Sequence, residues 1–183
     1  VNVYFAGRFS RREELLGYKE ALEEMAPDYG AEITVTSRWL LGGHEWSGTA
    51  DEEVPLDECA RFAQEDLHDL MRAHVIVCFT EPPRSGPARG GRHVEMGYAL
   101  AAMKPVLCVG YRENVFYCLP QVHFVPTWSQ AEEWLLSRSI TDVTKLMART
   151  RAMERLYEEV VDRFARQLHD ANQSTKSTNR SAS

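Results

Sequence analysis

Residues 74 to 110 read "HVIVCFTEPPRSGPARGGRHVEMGYALAAMKPVLCVG". The first six are a continuous apolar run, as in a strand buried on both faces. A loop rich in proline and glycine follows, then a helix from about 92 to 103, and "PVLCVG" reads as the next strand. Strand, helix and strand in this order form a β-α-β unit. That unit demands parallel pairing, and its right-handed crossover leaves few topologies. A single carboxylate, Glu95, lies one turn into the helix.

The same alternation extends in both directions. Upstream, "NVYFA" (2–6) is a short strand, residues 12–26 carry Leu15, Leu16, Leu22 and Met25 at helical spacing, and "AEITVTS" (31–37) alternates as a half-buried strand does. After a long loop, Leu56, Phe62, Ala63, Leu67, Leu70 and Met71 supply the apolar face of a helix over 55–72. Downstream, "VHFVP" (122–126) is a fifth strand, and "SQAEEWLLS" a helix with Ser129 as its N-cap. The pattern predicts an α/β domain over 1–138, with a doubly wound, five-stranded parallel sheet in the flavodoxin-like order 2-1-3-4-5. From 139 to 170 a long amphipathic helix is expected, with its stripe against the domain or another subunit, and 171–183 should be a disordered tail.

Composition narrows the function. The chain has 183 residues, 44% hydrophobic and 26% charged, with a formal net charge of -6. No apolar run is long enough to span a bilayer, and the acidic balance argues against binding a nucleic-acid polymer. The N-terminus lacks the features of a secretion signal, and the four cysteines show no C-x-x-C pair, so free thiols in a reducing cytoplasm are expected. "GGHEW" (42–46) is not a zinc motif, and no metal or cofactor is expected.

Arginines cluster where ligands bind in open α/β sheets, beyond the carboxyl ends of the strands. Arg8, Arg11 and Arg12 follow the first strand; Arg84, Arg89 and Arg92 follow the third. Gly86, Gly90 and Gly91 let backbone approach a ligand, and the helix starting near Arg92 points N–H groups and a positive dipole into the same space, favouring an anion or a sugar phosphate. The triphosphatase loop G-x-x-x-x-G-K-[ST] is missing. Tyr98 and Ala99 begin the face that docks on the sheet, so Glu95 should project near the cleft. A carboxylate there can be the nucleophile of a retaining glycosyl transfer.

The segments "VYFAGRF", "FAQEDLHDL" and "GRHVEMGYALAAMKPVLCVG" resemble the nucleoside 2-deoxyribosyltransferase superfamily, which includes deoxynucleoside 5′-phosphate N-hydrolases and cytidine monophosphate N-glycosidases. The likeness covers about residues 2 to 130. It implies Glu95 as nucleophile at the anomeric carbon, Asp66 as the carboxylate that meets the nucleoside and assists proton handling at the base, and Tyr4 as the phenol beside the nucleophile. Gly7 matches the glycine of the first turn. Arg89 stands where the transferases have an acid and the nucleotide hydrolases a serine, Arg8 replaces a second serine, and Asn114 lies near a third. Arginine grips phosphate through a bidentate fork, so these replacements suit a 5′-monophosphate. Gly7, Arg8, Arg12, Arg89, Gly91, Arg92 and Asn114 form the expected substrate-binding set. The expected reaction is N-glycosidic cleavage with water as acceptor. Base exchange, or a nucleotide-binding sensor without turnover, are the alternatives. Relatives often complete their sites across a subunit contact, so a homo-oligomer acting on a nucleoside or nucleotide is expected.

Overall fold

In the computed structural model, which describes residues 1–42, 55–82 and 90–137, the central strand is the apolar run at the start of the quoted stretch. β3 (Val75–Phe79) is buried at every position. It lies between β1 (Asn2–Ala6) and β4 (Val106–Val109), with β2 (Thr34–Val35) and β5 (Val122–Val125) at the edges. All pairings are parallel and the order is β2-β1-β3-β4-β5, as the alternation predicts. Tyr4 pairs with Ile76, and Cys78 with Cys108.

Alternation along β1 divides the molecule into two layers. Phe5 faces α1 (Arg12–Met25) and α4 (Trp128–Leu136), where it meets Phe79 at 5.1 Å and Trp128 at 5.5 Å, and Tyr18 stacks on Trp128 at 4.8 Å. Its neighbour Tyr4 points to the other face, toward α3 (Gly91–Ala101). α2 (Leu56–Arg72) packs against β1 and α3 on that side. The surroundings of the Tyr4 hydroxyl are therefore formed by β1, α2 and α3.

Three expectations need correction. β2 is two residues long rather than seven: after the Thr36 N–H, which still donates to the Val3 carbonyl at 2.8 Å, side chains replace the backbone ladder. The Ser37 hydroxyl accepts from the Phe5 N–H at 2.6 Å, and Trp39 Nε1 donates to the Phe5 carbonyl at 2.9 Å. The α4 N-cap is Thr127, not Ser129, since its hydroxyl is the one that accepts from the Gln130 N–H. Finally, the apolar face of α2 is wider than the surface that docks: Leu70 is buried, whereas Leu56 is 87% and Met71 59% exposed.

Cys78 and Cys108 are buried and Cys59 and Cys118 exposed, all as free thiols. No helix among the described residues is long and apolar enough to cross a membrane. The expected C-terminal helix and tail, the loop containing His44, and Arg89 lie outside the described residues.

Candidate active site

Tyr4 owes its place to the central position of β1. It is fully buried, and the Ser37 and Trp39 bonds to Phe5 fix the strand beside it. Its hydroxyl donates to Glu95 Oε1 at 2.8 Å, across 91 residues of sequence. Burial raises the Tyr4 pKa well above that of a free phenol, and the negative charges of Glu95 and Asp66 add to the shift. The phenol thus stays protonated and remains a donor.

The Glu95 carboxyl is pushed up to about 7, mainly by burial. The Tyr4 hydrogen bond and the charge of Arg92 work against that rise, while the charge of Asp66 adds to it. Near neutrality Glu95 is then poised between its neutral and ionised forms, in a setting where a carboxylate is poorly hydrated. Such a group can act as a nucleophile once a cationic centre develops beside it.

Asp66 and Asp69, one turn apart on α2, have different tasks. Asp69 is buried and accepts from Arg38 at both the backbone N (3.0 Å) and Nε (2.9 Å), tying α2 to the turn after β2. Asp66, half-buried, lies close enough to act on both Tyr4 and Glu95 through its charge. The structure therefore brings Tyr4, Asp66 and Glu95 together on one side of the sheet, with a phenol and two carboxylates in unlike surroundings. That is the equipment for nucleophilic attack combined with proton transfer.

The expected binding residues are dispersed around this centre. Gly7 follows β1 where a Cβ would come within 2.6 Å of the buried Leu15 Cδ1, so any side chain there would require Leu15 to shift. Arg8 is half-buried at the turn after β1, and the guanidinium of Arg12 lies 6.0 Å over the Phe9 ring. Gly91 is the exposed first residue of α3. Asn114 caps the short turn Val115–Cys118 by accepting from the Phe116 N–H at 2.9 Å. It also lines a mainly apolar groove of about 590 Å³ with His93, Met96, Leu100, Phe116 and Leu119, on a flank of α3 whose lining excludes Glu95. Arg92 is buried, and its Nε donates to Glu113 Oε2 at 3.0 Å while Nη2 bonds Oε1.

Sequence reasoning missed Glu113, Asp69 and Ser37. Glu113 left one usable signal: an arginine at a helix start that is to be buried needs a counter-charge, and "YRENVFYCLP" contains a single acid. The Ser37 contact with Phe5 left none, since a hydroxyl after a strand has many local partners.

No family model matches the sequence, and no curated protein does either. Solved structures do match. A 2-deoxyribosyltransferase from the psychrotolerant bacterium Bacillus psychrosaccharolyticus is 16% identical, over 78% of this chain and 96% of its own, with a TM-score of 0.50. The CMP N-glycosidase of Clostridium botulinum is 16% identical over 74% of this chain and 95% of its own, with a TM-score of 0.42. A conserved protein from Enterococcus faecalis V583 is 14% identical over 79% and 98%, also at 0.42. The five-stranded parallel sheet with its flanking helices is the flavodoxin-like fold of the 2-deoxyribosyltransferase, shared over nearly the whole of that protein.

Proposed function

We propose that this chain breaks the N-glycosidic bond of a nucleoside or, better suited to its arginines, a (2′-deoxy)nucleoside 5′-monophosphate, with Glu95 as nucleophile and water as final acceptor. The observation that carries this reading is the 2.8 Å bond from buried Tyr4 to Glu95 in a cleft that also holds Asp66. Oε1 is oriented by the phenol, leaving the other carboxylate oxygen to attack the anomeric carbon. The C–N bond breaks as the C–O bond forms, and the base departs with the bonding pair and takes a proton, a step suited to Asp66. Water then attacks the same carbon from the opposite face, loses its proton to a base in the cleft, and releases the Glu95 carboxylate. Two inversions give net retention.

Gly7, Arg8, Arg12, Arg89, Gly91 and Asn114 are proposed to hold the sugar, phosphate or base. Base exchange is the second reading, favoured by the fold shared with a 2-deoxyribosyltransferase. The same glycosyl-Glu95 species serves both, and only the acceptor differs. Incubation of nucleosides and their monophosphates with a labelled second base, read by chromatography, separates them. Released base with free sugar or sugar phosphate means hydrolysis, and labelled nucleoside or nucleotide means transfer. An absence of either product from every substrate would overturn both.

The enzyme is further proposed to be a homo-oligomer of the reducing cytoplasm. Leu56, Leu67 and Met71 on α2 and Val94 and Tyr98 on α3 expose apolar surface on one layer, which a second copy would cover. A monomeric mass by light scattering at micromolar concentration would count against it.

A further inference from the structure

The Arg92–Glu113 pair lies outside the Tyr4–Asp66–Glu95 group and takes no part in the reaction written above. It is nearly dry: the two side chains are 5% and 11% exposed. The Glu113 carboxylate receives Arg92 through Nε and Nη2, and its Oε1 also accepts from the Glu81 N–H at 2.8 Å. His93 Nε2 is 3.6 Å from Oε2. One carboxylate thus holds residue 81, just beyond β3, and residue 92, in the first turn of α3. These are the two flanks of the segment joining strand to helix.

Two features make this grip consequential. The N-cap of α3 is Gly90, which supplies no side-chain hydrogen bond, and the first turn of the helix contains no acid. Among the described residues neither an N-cap side chain nor a first-turn acid fixes this helix start, and a long-range bond to Arg92 does. The base from which Glu113 reaches is firm. The Tyr111 N–H donates to Thr80 Oγ1 at 2.6 Å, that hydroxyl donates to the Val109 carbonyl at 2.8 Å, and Gly110, at φ +111°, has the Thr80 carbonyl where a Cβ would come within 3.0 Å. Arg92 precedes Glu95 by three residues, so whatever fixes one fixes the turn that carries the other.

We propose that Glu113 is a positioning residue: by gripping Arg92 and the Glu81 N–H together, it sets where the first turn of α3 presents Glu95 to Tyr4. The functional half of this inference rests on Glu95 being the nucleophile. Its charge also balances Arg92, one of the groups that face Glu95, with Tyr4 from β1, Asp66 from α2 and Cys78 from β3. Arg92 accordingly serves the fold of the site, with its fork turned to Glu113 and not to a ligand.

The test uses the full chain with Glu113→Gln, Arg92→Lys and Glu113→Asp. Glutamine keeps the shape but sets an amide donor against the guanidinium, and lysine keeps the charge but loses the fork. For both, kcat should fall roughly 10- to 100-fold with KM changed less than about threefold, as for displacement of a reacting group. Amide exchange should quicken at Glu81 and in the first turn of α3 but not in β1 or β3. In Glu113→Gln the Glu95 titration, followed by carboxyl carbon NMR, should move down because Arg92 is left unbalanced. Glu113→Asp should recover part of kcat. Unchanged kcat and unchanged Glu95 titration in Glu113→Gln would overturn the proposal, as would exchange that quickens uniformly with no recovery in Glu113→Asp. If the parent protein turns over no nucleoside or nucleotide, the proposed reaction fails, while exchange and titration still decide the role of Glu113.

Discussion

Glu113 reaches the first turn of α3 from the β4–β5 crossover, and Glu95 follows that turn on the same helix; both carboxylates are largely shielded from water. Glu113 is given an arginine fork and a backbone N–H. Glu95 is given one phenol, with a second carboxylate near enough to repel it. The same side chain, at comparable depth, is in one case fully compensated and in the other left short of compensation. Compensation makes the first a structural fastener, and its shortage makes the second reactive, because a carboxylate poor in partners gains most from a developing positive charge. On α2, Asp69 is held by Arg38, while the charge of Asp66 acts on Glu95.

The contrast can be broken by exchanging the roles of the two glutamates in experiment. Glu95→Gln should lower base release by at least about 1,000-fold, since loss of a nucleophile is not repaired by binding alone; released base measured by chromatography decides it. Glu113→Ala should lower kcat at least as far as Glu113→Gln and also cost stability, roughly 3–5 kcal/mol in urea unfolding, from leaving Arg92 buried without its counter-charge. A Glu113→Ala protein as stable as the parent would remove the distinction between fastener and reactive group.

Stability should also depend on pH through Glu95. Its folded pKa of about 7 lies above the unfolded value, so the fold favours the neutral carboxyl. That contribution is fully present below about pH 4 and is lost as pH rises through 7. Glu95→Gln, which cannot ionise, should match the parent near pH 4 and exceed it at pH 8 by roughly 3–4 kcal/mol. A constant difference across that range would show that Glu95 is not held in an unfavourable ionised state. The same shift predicts that kcat/KM rises with pH and levels off above about 7.

Smaller effects sharpen the account of what surrounds Glu95. Tyr4→Phe removes the one hydrogen bond that lowers its pKa, so the acid limb of the pH profile should move upward and kcat should fall about 10- to 100-fold. Asp66→Asn removes a charge that raises it, so that limb should move downward, by less than about one pH unit. Limbs that move in the same direction in both variants would refute the opposed roles assigned to the two neighbours.

The sequence by itself determined the sheet. Continuous apolar runs at 75–79 and 106–109, separated by a helix, admit parallel pairing almost alone, and the order 2-1-3-4-5 is one of the few that crossover handedness allows. Glu95 was legible from its place one turn into the helix after the third strand, whereas Tyr4, inside β1, and Asp66, in the middle of α2, were legible only through the resemblance of the segments that carry them. Tertiary structure decided how each charge is used. Whether Arg92 meets a ligand or Glu113, whether Asp66 or Asp69 is spent on the scaffold, and how short β2 becomes once Ser37 and Trp39 take the Phe5 bonds all depend on partners 20 to 40 residues away. Hydrophobic periodicity is a local signal that survives in the chain as written. Compensation of a buried charge depends on what is brought within about 3 Å of it, and only the folded chain sets that distance.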